Sequence, residues 1–153
     1  MAEIDLFVDH REDPPEERVM CAVHAYRDAM LAHVNALPIL LSHGPSTKAA
    51  LRPVELLIGI LRDAGLRPAE AFLGTHTIAA EVRGFVGMIL SSSEGKPTRE
   101  EIEAMDRSLL ANEFPHLREA MPFVFDFADH GFDFDIRALT RGLIAGAQSG
   151  MPG

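Results

Sequence analysis

One cysteine in 153 residues excludes an internal disulfide framework, and with it the small cross-linked scaffolds of secreted proteins. Cys21 falls in a helical pattern, where it reads as a small hydrophobe rather than a nucleophile. Basic residues are scarce: 14 Lys and Arg stand against 23 Asp and Glu, a formal net charge of -9. Nucleic-acid affinity rests heavily on neutralising phosphates, so this chain is not expected to bind DNA by itself. No basic segment leads into an apolar signal run, and no apolar stretch approaches the roughly 20 residues that cross a bilayer. A cytoplasmic protein with no membrane partner is expected. HExxH, paired cysteine ligands, a glycine-rich phosphate loop and a nucleophile elbow are also missing. No catalytic residue, metal or cofactor is therefore assigned.

What is present suits one helical domain. Hydrophobic residues make up 47% and charged residues 24%, and a chain of this length buries roughly 70% of its extended surface. The opening "MAEIDLFVDHREDPPEERV" is apolar to Val8 and then charged, so residues 1–15 read as a linker. Pro14 and Pro15 stop any earlier helix, and Glu16 and Glu17 suit the N-terminal dipole of the next. From Glu16 to Leu37 the apolar positions Val19, Val23, Tyr26, Met30, Val34 and Leu37 recur at helical spacing. The turn "HGPST" offers Ser46 or Thr47 as a cap for a helix carrying Leu51, Val54, Leu57, Ile58 and Leu61, with Pro53 expected near its first turn. "DAGLRP" ends that helix with a glycine in the left-handed region.

The longest helical pattern runs from Pro68 to Leu90. Phe72, Ala79, Val86 and Leu90 mark one apolar face, widened by Ile78, Val82, Phe85 and Ile89. Another stripe is mostly small: Leu73, Thr77, Ala80, Gly84, Gly87 and Ser91. Glycine inside a helix costs about 1 kcal/mol relative to alanine; close approach of another backbone is the expected reason, and two tolerated glycines beside a bend are the alternative. Thr98 to Glu101 has capping-box spacing, and an amphipathic run to Leu110 follows. Pro115 begins a short helix through Leu117 and Met121. Phe123, Phe125, Phe127, Phe132 and Phe134 alternate around Asp126 and Asp129 like a strand, but no partner strand exists, so irregular or short helical structure is expected. Asp133 or Asp135 then begins the last helix. There Ala138, Gly142, Ala145 and Gly146 form a second small face, too short and too charged for a membrane helix.

Seven histidines lack metal-site spacing. An apolar pocket is the stronger candidate, with His24, Met30, His43, Phe72, His76, Phe85, Met88, Met121 and Phe125 supplying aromatic walls, flexible sulfur-bearing chains and a few polar points. The small faces, namely Leu73, Thr77, Ala80, Gly84 and Gly87 with Ala138, Gly142, Ala145 and Gly146, are expected to form a tightly packed interface, either within the fold or between copies. A small helical enzyme using His24, His43 or His76 on a hydrophobic substrate, and a truncated dimeric interaction module, are the alternatives.

From Tyr26 to Gly146 the chain resembles the C-terminal ligand-binding and dimerisation domain of the tetracycline-repressor-like (TetR/AcrR) transcriptional regulators. The matching pieces are "AYRDAMLAHVNALPILL", "LLIGILRDAGLRPAEAFLGTHTIAAEVRGFVGMIL", "FPHLREA" and "FDFDIRALTRGLIAG". The resemblance implies an all-α, antiparallel helical bundle over residues 16–150, a homodimer through the long central and last helices, and a small-molecule effector. It further implies that residues 1–15 include the remnant of a connecting helix, and that DNA is bound only through an N-terminal helix-turn-helix domain absent from this sequence. The family's tetracycline binders use a histidine, matched here by His43, and a glutamate whose place holds Ser91 with Glu94 nearby. A hydroxyl does not replace an anionic acceptor in a magnesium site, so the resemblance implies a repressor-type sensor of a different, apolar or amphipathic molecule.

Overall fold

Pro14 lies just outside the first helix with extended backbone (φ -55°, ψ 146°), and Pro15 occupies the first helical position, where its missing N–H costs nothing. A computed structural model describes residues 11–36, 38, 47–91, 98–108, 113–123 and 127–149. Helix α1, Pro15–Ala32, carries Glu16 and Glu17 in its first turn. It ends five residues before Leu37, because His33 leaves the helical region and its N–H bonds the Met30 carbonyl, tightening the chain into a 3-10 turn over Val34–Ala36. Pro38 lies just beyond, and a proline disfavours helical backbone in the residue before it.

Helix α2, Lys48–Asp63, begins as the sequence suggests, with the Thr47 hydroxyl accepting from the Ala50 N–H at 3.2 Å. Pro53 sits inside it, in the second rather than the first turn, and removes one ladder donor there. The exit is a Schellman motif: Gly65 (φ 100°) donates to the Arg62 carbonyl and Leu66 to the Leu61 carbonyl. The buried pair Leu66 and Leu61 completes it. A turn this short makes α2 and the next helix antiparallel neighbours.

Helix α3, Pro68–Ser91, and helix α4, Arg99–Ser108, follow. The capping box forms in full: the Thr98 N–H donates to Glu101 Oε2 at 2.7 Å, and the Glu101 N–H donates to the Thr98 hydroxyl at 3.2 Å. Helix α5, Pro115–Ala120, buries none of its residues and passes into a 3-10 turn, Met121–Phe123, in which Met121 is buried.

Helix α6, Phe127–Gln148, corrects the sequence reading. It starts six residues before Asp133, so Phe132 and Phe134 belong to a helix and face opposite sides of it. Phe132 is 4% exposed and Phe134 72%. Phe125 and the alternation at Asp126 lie outside the described residues.

All regular structure among the described residues is helical. Helices α1, α2, α3 and α6 pack on one another around Val19, Val23, Ile60, Leu61, Ile78, Val82, Val86 and Ile136, each at most 1% exposed. The inner face of α3 turns slightly from the expected one, toward Ala71, Ile78, Val82 and Val86, leaving Phe72 57% exposed. Gly74 marks where three helices meet: a methyl there would lie 3.0 Å from Leu143 Cδ1 and 3.1 Å from Leu61 Cδ1. Buried Arg18 donates to Asp63 at 3.0 Å, joining α1 to the end of α2. Arg137 reaches Glu16 and Glu17 at 2.6 Å, and Arg141 reaches Glu16 at 2.8 Å, so α6 grips the start of α1.

Candidate functional site

Helix α3 has two faces with separate roles. Its inward side is core, whereas Leu73, Thr77, Ala80, Gly84, Gly87 and Ser91 are all exposed. The same division runs along α6, where Phe132, Ile136 and Thr140 are buried while Ala138, Gly142 and Ala145 are exposed and Gly146 is half-buried. A methyl placed on Gly84, Gly87, Gly142 or Gly146 would meet no atom within 4 Å. Nothing among the described residues uses the closeness that these glycines permit. Between the two helices runs a groove of about 530 Å³ lined by Thr77, Glu81, Asp135, Ala138, Gly142 and Leu143. Phe72, Leu73 and Phe134, 57%, 63% and 72% exposed, add large apolar surface on these same two helices, more than single scattered exposed residues would present.

A second cavity, about 220 Å³, opens between α1 and α3. Met30 from α1, Val34 and Pro38 beyond it, and Val86, Gly87 and Leu90 from α3 give it apolar walls, and Arg83 is the one charged residue among the described residues that line it. The short 3-10 turn after α1 positions Val34 at the cavity's edge.

The candidate ligand residues separate into groups. Met30 lines the α1–α3 cavity. Phe85 is buried and packs on Phe132 with ring centroids 4.9 Å apart. His24 meets the same Phe132 ring edge-on at 5.4 Å, while its Nε2 lies 2.9 Å from Asp133 Oδ1. The Arg27 guanidinium stacks over Phe132 at 4.9 Å, a favourable cation–π position. Phe72, His76 and Met88 are exposed on the outer side of α3, and Met121 is buried near the other end of the chain. His43 and Phe125 lie outside the described residues. Sequence reasoning missed Arg83 and Arg27. Arg83 carries a signal, as the lone cation inside the apolar stretch "VRGFVGMIL".

The His24–Asp133 pair resembles two parts of a catalytic relay but touches no nucleophile among the described residues. Cys21, one turn earlier on α1, is exposed rather than packed. Among the described residues no group of three His, Cys, Asp or Glu side chains could hold a metal ion. No helix among them is long and apolar enough to cross a membrane.

The comparisons with known proteins agree with this architecture. Residues 10–146 match the family model of the tetracyclin repressor-like C-terminal domain. The crystal structure of a possible TetR family transcriptional regulator from Streptomyces coelicolor A3(2) superimposes with a TM-score of 0.71 at 25% identity, over 92% of this chain and 70% of that one. No curated protein matches. With a helical bundle of this form and a family match across most of its length, the chain belongs to the tetracycline-repressor-like family of transcriptional regulators, whose C-terminal domain it contains.

Proposed function

We propose that this domain is the effector-binding and dimerisation part of a repressor-type regulator, pairing with a second copy through α3 and α6 and sensing a small apolar or amphipathic molecule. The observation that carries the reading is the outer face of α3 and α6, where glycines and alanines flank an apolar groove that the described residues leave uncovered. Helix-interior glycines each cost about 1 kcal/mol, and a second pair of helices laid across them gives that cost a purpose. Family membership supports the same pairing.

The α1–α3 cavity supports the sensing half of the proposal. A ligand there touches both the helix that enters the domain and the helix that would contact the partner. It can therefore favour one separation of the two subunits over another, provided that it binds the two arrangements unequally. DNA contact belongs to an N-terminal helix-turn-helix module, and the acidic chain alone is expected to leave mixed duplexes unbound in fluorescence anisotropy at near-physiological salt.

A ligand panel read by thermal shift and sedimentation together tests the proposal. The reading expects a compound that raises the melting temperature, emerges chemically unchanged and alters the dimer constant. Turnover of a panel compound that is abolished by His24→Ala would replace it with the enzyme reading.

A further inference from the structure

Arg83 is out of keeping with the other arginines for which a partner is seen. Arg18, Arg27, Arg67, Arg137 and Arg141 each contact a carboxylate, and Arg62 and Arg107 donate to backbone carbonyls. Arg83 is half-buried, lines the α1–α3 cavity, and pairs with no carboxylate among the described residues. The chain holds 23 acidic residues against 14 basic ones, so a guanidinium with no carboxylate partner among the described residues is conspicuous. Partial burial weakens its hydration and raises the gain from an anion brought to it.

We infer that the α1–α3 cavity binds an apolar monocarboxylate, with Arg83 holding the carboxylate and Met30, Val34, Val86 and Leu90 enclosing the hydrocarbon. This rests on the proposed effector-binding reading and adds the chemical class. The planar guanidinium matches a carboxylate with two parallel hydrogen bonds. One cation suits one negative charge: a phosphate dianion would enter a protein of net charge -9 with a single neutralising group, against the field of the whole chain. Size narrows the class further. A cavity of about 220 Å³ equals on the order of seven water volumes at roughly 30 Å³ each, which suits a compact acid with a short chain or single ring rather than a long lipid.

The test is calorimetric titration of the full chain with octanoate, 1-octanol and octylammonium, probes that share a tail and differ in head. Octanoate should bind the wild type most tightly. Arg83→Gln should weaken octanoate roughly ten- to a hundredfold, the range of a lost charge-assisted hydrogen bond, and leave 1-octanol unchanged. Arg83→Lys, which keeps the charge but not the fork, should fall between. Val34→Trp, a change at a rim residue already 41% exposed, should block all binding at this cavity while the circular dichroism spectrum and melting curve stay native. Added salt should weaken octanoate and not the alcohol.

Equal binding of octanoate and 1-octanol, with Arg83→Gln indifferent, would overturn the anion assignment and leave the cavity as an effector site. Octanoate binding that survives Val34→Trp would place the anion elsewhere and overturn the site. Failure of every octyl probe to bind the wild type would overturn the inference, while the broader panel and the dimer measurement would still decide the regulator reading.

Discussion

Phe132 and Phe134 stand two residues apart and have opposite surroundings, one packed between Phe85 and His24 and the other open to solvent. Phe132→Ala should cost about 3–5 kcal/mol of unfolding free energy in urea titrations, as for other buried aromatic truncations. Thr140 buries its hydroxyl with no hydrogen-bond partner among the described residues. Replacing it by the isosteric valine should raise stability by about 1 kcal/mol, because the lone polar group is what burial penalises. At Gly65, φ of 100° predicts that Gly65→Ala costs about 1–2 kcal/mol, even though a methyl there would touch nothing. Gly65, the Thr47 cap and the Thr98–Glu101 box were legible in the sequence because each obeys a rule spanning only a few residues. Arg18 was not, since its partner Asp63 lies 45 residues away and no local pattern announces such a pair.

Among the elements, α3 was legible to within a residue because Pro68 opens it and an unbroken helical periodicity follows. The start of α6 was hidden: phenylalanines at spacings of two imitate a strand, and only packing against α1 and α3 shows that Phe132 and Phe134 serve different faces of one helix. The junction of α6 with α1 also has a chemical consequence. Hydrogen bonds from Arg141 and then Arg137 lower the pKa of Glu16, and those from Arg137 lower that of Glu17. A carboxylate with a folded-state pKa below its unfolded value stabilises the fold above the ordinary value of about 4.3, and the contribution disappears as pH falls through the lowered folded value. Urea midpoints measured from neutral pH down to about 3 should therefore drop in the acid range. Glu16→Gln should flatten that drop, with the two proteins converging once Glu16 is protonated. Glu17 is about half exposed and Glu16 is partly covered by the two arginines, so high salt should reduce the difference, more for Glu17 than for Glu16.

For the whole molecule, the sequence showed the two small-residue faces but not how they lie relative to one another, because the relation of α3 to α6 is a tertiary fact. The structure sets them on either side of one groove, and no described residue packs against the glycines of either. The proposed effector cavity was harder to read: of the described residues selected for it, Met30 is the one that lines the α1–α3 space, because aromatic and sulfur-bearing residues are equally common in cores. Three glycine substitutions separate packing within a chain from packing between chains. Gly74→Leu should destabilise the monomer itself through contact with Leu61 and Leu143, whereas Gly84→Leu and Gly142→Leu have room within one chain. Sedimentation equilibrium at roughly tens of micromolar, a range that detects micromolar association, is the direct measurement of the pairing. A dimeric wild type is expected, with folded monomers of native circular dichroism for Gly84→Leu and Gly142→Leu. A wild type that stays monomeric at that concentration, or leucine variants that dimerise as tightly as the wild type, would contradict the pairing.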